Sequence, residues 1–328
     1  MMDELLQPFV RMLDDAGGPA VLRQMEQGGG AADFWSAVGE SGVLDILVPE
    51  DKGGLGFTLA DAAPFLSALG ARGYQHPVAE TLIARGVLTQ AGAAAPDGRI
   101  ALATSRGHSQ ICPGGLAADF FLVDTGQALA LVGAAHAALE PTGVSGALAA
   151  RFHWDGRNAV LETERPANGL RPISAVMRSL QIAGAAERLV EMSTAYANDR
   201  VQFGKPIGRQ QALQQNLAVM AEDAVAARIA AQLGAASGFP PLLNAAATAK
   251  VTTSAAAVRI AATAHAVHGA IGISAEFDLQ LLTRRLHEWR LADGAETYWS
   301  NVLGGARIEK ASGSIDFIRA EAFLERAH

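Results

Sequence analysis

Cysteine is almost absent: Cys112 is the only one in 328 residues, so no disulfide can form within the chain. That fits a reducing compartment. With no His or basic residue beside it in sequence, Cys112 reads as a small apolar side chain rather than a reactive thiol. Aromatic residues are also scarce, at 6%, whereas Ala and Gly abound. A core built from such small side chains implies closely packed helices. There is no basic tract, and the net charge is −7. Nucleic acid is therefore not an expected partner, because neutralising its phosphates takes clustered Lys and Arg. A locally placed Arg can still hold a phosphate-bearing ligand. No run approaches the ~20 uncharged apolar residues of a membrane span. The N-terminal MMDELLQPFVRMLDDAGG carries acids and lacks the basic n-region of a signal peptide. A cytoplasmic protein with no membrane span is expected. Apolar residues reach 50% and charged residues 18%, enough for a sizeable core and too apolar for disorder.

Three stretches follow one another along the chain. Residues 1–95 read as an N-terminal helical domain. Leu5, Phe9, Val10 and Leu13 recur at helical spacing, Asp33 is a candidate N-cap for a helix to Ser41, and LVPEDKGGLG at 47–56 is a loop. Residues 58–69 and 78–91 also have helical patterns. Residues 96–168 read as a reduced middle β-domain, with short apolar runs at 99–103, 120–123, 129–132, 151–154 and 159–162 between turn signals. Asp155-Gly156 predicts a hairpin between the last two. Residues 169–328 read as a C-terminal four-helix bundle. Ile182, Ala186, Leu189, Val190, Ser193 and Ala197 form one stripe. Leu213, Leu217, Met220 and Ala224 form a second, and Ala247, Val251, Ala255, Val258 and Ala262 a third. A final helix starts near Ala295. The fold class is thus mostly α with a small β-domain.

Three segments could carry chemistry. The first is RVQFGKPIG at 200–208. Arg200 offers a planar fork of donors suited to phosphate or carboxylate, Gly204 and Pro206 force a turn, and Phe203 could cover an aromatic ring. Its plainer account is an interhelical turn with a surface Arg. The second is VHGAIGI at 267–273, where Gly269 and Gly272 let a ligand come close to the backbone, although a helix C-cap gives the same pattern. His265 and His268 lie three apart without a third ligand of suitable spacing, so no metal site is expected. The third is TRRLHEWRLADGAE at 283–296, a solvated helix face or a capped helix end.

In this order the segments resemble the acyl-CoA dehydrogenase family. Arg200 to Gly208 resembles its Arg-x-Gln-Phe-Gly-x-Pro-Ile signature, and His268 to Gly272 its His-Gly-Gly-x-Gly loop. Thr283-Arg284-Arg285 resembles the Arg-Asp that follows, and 48–56 the N-terminal Val-Pro-Glu-x-x-Gly-Gly-x-Gly. The resemblance implies FAD as cofactor and an acyl-CoA as substrate. It further implies abstraction of an α-proton by a carboxylate, transfer of a β-hydride to the flavin, and electron-transfer flavoprotein as electron acceptor. It assigns Arg200 to the FAD pyrophosphate of a neighbouring subunit, places Gln202 and Phe203 beside the adenosine, and lays Gly269 and Gly272 across the dinucleotide. The family base is a Glu nine residues after the Arg of Arg-Asp. Counting nine from Arg284 gives Asp293, one methylene shorter and so about 1 Å short in reach.

The chain departs from the pattern elsewhere. The Gln near the Gly-rich loop is replaced by Ala266. The Arg nine residues before Gly184 is replaced by Ala175, with Arg178 close by. The β-domain lacks the acidic Gly-Ser-Asp stretch and the Trp strand. These losses resemble the shortened subunit of heteromeric bacterial acyl-CoA dehydrogenases. The expected assembly is therefore a homo-oligomer or a heterotetramer with a full-length subunit. Two readings stay open: a dehydrogenase, or part of one, that uses Asp293, and a non-catalytic scaffold or acyl-CoA-binding subunit that supports a full-length partner.

Overall fold

A computed structural model describes residues 2–104, 109–310 and 313–321. Five helices open the chain: α1 Met2–Ala16, α2 Pro19–Glu26, α3 Ala31–Glu40, α4 Leu59–Arg72 and α5 Val78–Gln90. Local chemistry sets several of their ends. Pro19 opens α2, where its missing N–H costs nothing. Thr58 and Asp61 form a reciprocal capping box at the start of α4, which Gly73 closes with a left-handed backbone. Asp33 is not the N-cap of α3, as its sequence position suggested. Gly30, at φ 69°, turns the chain into the helix three residues earlier, which leaves Asp33 in the first turn.

Seven strands follow: β1 Ile100–Ala103, β2 Ser109–Cys112, β3 Phe120–Asp124, β4 Leu129–Gly133, β5 Ala138–Pro141, β6 Ala150–His153 and β7 Ala159–Thr163. They form two sheets, ordered β1-β3-β4-β7 and β2-β6-β5. Asp155-Gly156 does not make the predicted hairpin. β6 pairs with β2 and β5, whereas β7 pairs with β4 in the other sheet. The turn, braced by Trp154 Nε1 donating to the Arg157 carbonyl at 2.6 Å, carries the chain from sheet to sheet. Phe121 and Phe152 stack at 4.5 Å in a core that also holds Cys112. Burial pushes the Cys112 thiol well above its ordinary pKa, in keeping with an inert apolar role.

Three long helices come next: α6 Leu170–Asp199, α7 Gln211–Ala236 and α8 Leu243–His268. A two-residue-strand hairpin, β8 Val201–Gln202 and β9 Lys205–Pro206, links α6 to α7. The fourth position of the bundle is filled by α9 Leu279–Leu291 and then, after a break at 292–295, by α10 Glu296–Ile308; α11 is Ser314–Glu321. The Ile182–Ala197 stripe faces the core as expected. The stripe assigned to α8 is inward only at its start, where Ala247 is buried and Val251 packs against the same cluster, and it drifts outward to Val258, 37% exposed, and the exposed Ala262. The face that packs inward carries Ala246, Lys250, Thr253, Ala257, Ile260 and Ala264. In an Ala-rich helix apolarity is nearly uniform around the axis, so periodicity alone cannot choose the face. By length and composition α8 could cross a membrane, but it packs against α6, α7 and α10, which accounts for its apolarity. Helices α4 and α6 cross so closely that a Cβ on Gly184 would lie 1.9 Å from the Ser67 carbonyl oxygen.

His76, in the loop between α4 and α5, is buried with Nδ1 lacking a hydrogen-bond partner. Burial, helped by the charge of Arg99, lowers its pKa to about 4. The unfolded chain therefore takes up a proton between pH ~6.5 and 4 that the folded chain refuses, so stability falls as pH drops through that window. H76Q should remove this slope, worth on the order of 3 kcal/mol at most, in urea titrations at pH 7 and pH 4.5. An unchanged slope would exclude His76 as its source.

Candidate active site

Arg178, on α6, is the centre of a buried polar cluster. Its side chain is 1% exposed. It pairs with Glu80 of α5 at 2.6 Å and with Asp293, in the α9–α10 break, at 3.2 Å, and it also donates to Gln181 at 2.9 Å. Asp293 is itself 7% exposed. Its Oδ2 accepts from Ser174 at 2.6 Å and from Arg178, and its Oδ1 accepts from Thr104 at 2.7 Å. Thr104 ends β1. One carboxylate thus joins the β-sheet region to α6, and Arg178 extends the link to the N-terminal helices. Burial raises the pKa of Glu80, and Arg178 offsets only part of that rise. Burial also works against the Arg178 charge, but Glu80 and Asp293 hold its guanidinium above its ordinary value.

The backbone that presents Asp293 is unusual. Asp293 has φ 59° and Gly294 φ 101°. A Cβ on Gly294 would meet Trp299 Nε1 at 2.7 Å, and that same nitrogen donates to the Asp293 carbonyl at 3.1 Å. An Arg290–Glu296 ion pair bridges the break.

Asp293 borders a cavity of about 520 Å³ between the sheets and α9, lined by Thr104, Gln110, Val144, Arg285 and Leu291 among others. The 142–149 segment forms one wall. Arg284 holds it by donating to the Ser145 carbonyl at 2.9 Å while pairing with Glu26 at 2.6 Å. Gln75 holds it by donating to the Gly146 carbonyl at 2.8 Å and accepting from the Leu148 amide at 2.9 Å. The cavity therefore combines a mostly apolar wall with two carboxylates, Asp293 and the Arg285-paired Glu288, a setting suited to proton transfer.

The other sequence-nominated residues gather far from it, at the opposite end of α6. Ser174 and Arg200 are 26 positions apart on that helix and its cap, roughly 39 Å at a rise of about 1.5 Å per residue. Arg200 is exposed and, among the described residues, has no carboxylate partner. Gln202 lies in the hairpin, and Phe203 at its tip is 92% exposed with φ 53°. Gly269 ends α8 with φ 60°, and a Cβ there would meet nothing within 4 Å. Gly272 is buried, packed on His268 and Leu279. His268 stacks on Tyr196 at 4.5 Å, one turn before Arg200, which places the loop beside the hairpin. An unpaired guanidinium, an open backbone and an uncovered aromatic ring suit a dinucleotide: pyrophosphate on Arg200, close backbone approach at Gly269, adenine against Phe203.

Sequence reasoning did not nominate Glu80, Thr104 or Ser174 for the cluster. Glu80 did leave a signal, as the lone acid in a mostly apolar helix.

The family description "Acyl-CoA dehydrogenase, C-terminal domain" matches residues 172–304. The chain is 32% identical over 280 residues to acyl-CoA dehydrogenase IpdE2 of Mycobacterium tuberculosis, covering 82% of this chain and 86% of that one. It is 31% identical over 293 residues to acyl-CoA dehydrogenase IpdE2 of Mycolicibacterium smegmatis, covering 87% and 92%. A chain of the ChsE4-ChsE5 complex from Mycobacterium tuberculosis superimposes with a TM-score of 0.79 at 23% identity, covering 95% and 98%. The chain belongs to the acyl-CoA dehydrogenase family. Its order of helical, β and bundle segments is the fold expected from the sequence.

Removing Arg178 while leaving its partners would strand two buried carboxylates. R178M should therefore cost about 3–5 kcal/mol in guanidinium unfolding, and adding E80Q should recover part of it. Additive losses in the double variant would show that the two side chains are not coupled.

Proposed function

We propose that this chain is a subunit of an FAD-dependent acyl-CoA dehydrogenase that converts an acyl-CoA thioester to its trans-2-enoyl-CoA. The assembly we infer is a homo-oligomer or a heterotetramer with a full-length subunit, with electron-transfer flavoprotein as the next electron carrier. The observation that carries this is the separation of roughly 39 Å along α6 between the Arg200 hairpin and Asp293. No one small active site spans that distance. Arg200, Gln202 and Phe203 are exposed in and beside the hairpin, and a Cβ on Gly269 would meet nothing within 4 Å, as expected of residues serving a neighbour's flavin. Asp293 faces a cavity within its own chain.

Bound FAD would supply the hydride acceptor. Asp293 would take the α-proton on Oδ1, which among the described residues accepts only from Thr104. Arg178 and Ser174 on Oδ2 would fix the carboxylate while the proton moves. The α C–H electron pair becomes the new C=C bond as the β-hydrogen leaves with its own pair. The 142–149 wall, held by Arg284 and Gln75, would exclude water from the reacting carbons.

The non-catalytic reading draws on a different feature of the same site. Both Asp293 oxygens are already hydrogen-bonded and one also faces a guanidinium, so here the base position also works as a structural joint.

Flavin retention and turnover separate the two. R200A in the purified assembly should weaken FAD retention about 10- to 100-fold, as loss of a charge-assisted contact would, measured by visible flavin absorbance after desalting. D293N should keep the flavin but lose its bleaching by acyl-CoA. Full bleaching by D293N would establish the scaffold reading instead. Unchanged retention in R200A would remove Arg200 from the cofactor site.

A further inference from the structure

Lys250 is, among the described residues, the one fully buried lysine, in the third turn of the Ala-rich α8. Its three ammonium donors are all used: 2.8 Å to the Trp289 carbonyl, 2.7 Å to the Arg290 carbonyl and 3.2 Å to Ser254 Oγ. Trp289 and Arg290 lie in the last turn of α9, where the carbonyls have no intrahelical partners. A cation there also complements the negative end of the helix dipole. Three residues beyond Arg290 stands Asp293.

The helix end has no other strong stop. α9 leaves its axis at Ala292, with ψ 146°, and the glycine comes only at 294, after Asp293 has itself taken the left-handed backbone. An Asp in that conformation persists only where its surroundings over-determine it. Trp299 supplies the far-side contact, on the Asp293 carbonyl, and Lys250 supplies the near-side one. Burying an ammonium is a costly way to end a helix. Burial lowers the pKa of Lys250 to about 7, even with Asp293 pulling it upward. A glycine C′ residue ends helices without that cost.

We propose that Lys250 is the positioning residue of Asp293: by capping the carbonyl end of α9 from the neighbouring helix, it sets where the 292–294 break begins and so where the carboxylate stands. Its link to catalysis rests on the reading of Asp293 as the base, whereas its hold on the break does not. With Asp already about 1 Å shorter than Glu, further slack of similar size would cost on the order of 100-fold in the chemical step.

Two variants test it. K250M removes all three donors, and K250Q keeps an amide donor and serves should K250M fail to fold. By hydrogen exchange and mass spectrometry on the chain, K250M should lose protection at 289–295 by about tenfold or more, with α8 unchanged and K250Q closer to wild type. In the flavin-loaded assembly, with butyryl-CoA and octanoyl-CoA as substrates, kcat of K250M should fall on the order of 100-fold at unchanged KM. Unchanged exchange at 289–295 overturns the proposal, as does a loss of kcat matched by an equal rise in KM. D293N, measured alongside, keeps the two ideas apart. If its turnover equals wild type the base reading fails, and exchange alone then decides whether Lys250 holds the break.

Discussion

Much of the structure depends on one buried guanidinium. Arg178 lies between Glu80 and Asp293, and each of the three comes from a different part of the chain. A buried cation must be paired, and so must each buried carboxylate. The arrangement turns on Arg178, because its loss would leave two buried carboxylates without a counter-charge, whereas the loss of either carboxylate leaves it paired with the other. Thr104 and Ser174 complete it by occupying the remaining acceptor sites of Asp293. The packing of α5 on α6, the docking of β1 on the bundle and the path of the α9–α10 break are therefore set by shared bonds rather than by apolar contact alone. In a chain whose core is built largely from Ala, apolar contacts are individually small and similar, and directional bonds are what distinguish one arrangement from another.

The same helix that carries Arg178 keeps two kinds of chemistry apart. Its N-terminal half belongs to the cavity beside the sheets, and its C-terminal end carries the Arg200 hairpin. A 30-residue helix is too stiff and too long to bring both to one ligand. The exposed Phe203 and Arg200, the latter without a carboxylate partner among the described residues, lie at that far end, outside the Asp293 cavity. Scattered exposed apolar residues need no explanation, but here a ring 92% exposed adjoins an Arg without a carboxylate partner among the described residues and an open glycine, the combination on which the proposed cofactor role rests.

The sequence was most legible where chemistry is local. The capping box at Thr58 and Asp61, the Pro opening α2 and the stripe on α6 follow from residues within a turn or two of one another. The nine-residue count from Arg284 landed on a carboxylate that does border the cavity. Legibility failed where partners are distant. Thr104 and Asp293 are 189 positions apart, and nothing local to either announces the bond. Asp155-Gly156 had the composition of a hairpin turn, but whether its flanking strands pair depends on which sheet has a vacant edge. On α8 the apolar pattern could not show which face was inward, because the residue that marks that face is the charged Lys250.

That lysine shows why a residue can look wrong for its place and still be explained by it. Hydrophobic patterning sends charges outward, so a lysine on an inward face reads as an error of register. Its position makes sense only once the chain is folded and α9 presents two carbonyls with no other donor. The need is created by the break that follows, and the break exists because Asp293 must leave the helix to reach Arg178 and Thr104. An unbroken helix through 292–295 would carry the carboxylate away from all three of its partners. The order of causes thus runs from the buried guanidinium to the carboxylate that pairs with it, then to the break that lets it do so, and last to the buried ammonium that holds the break open.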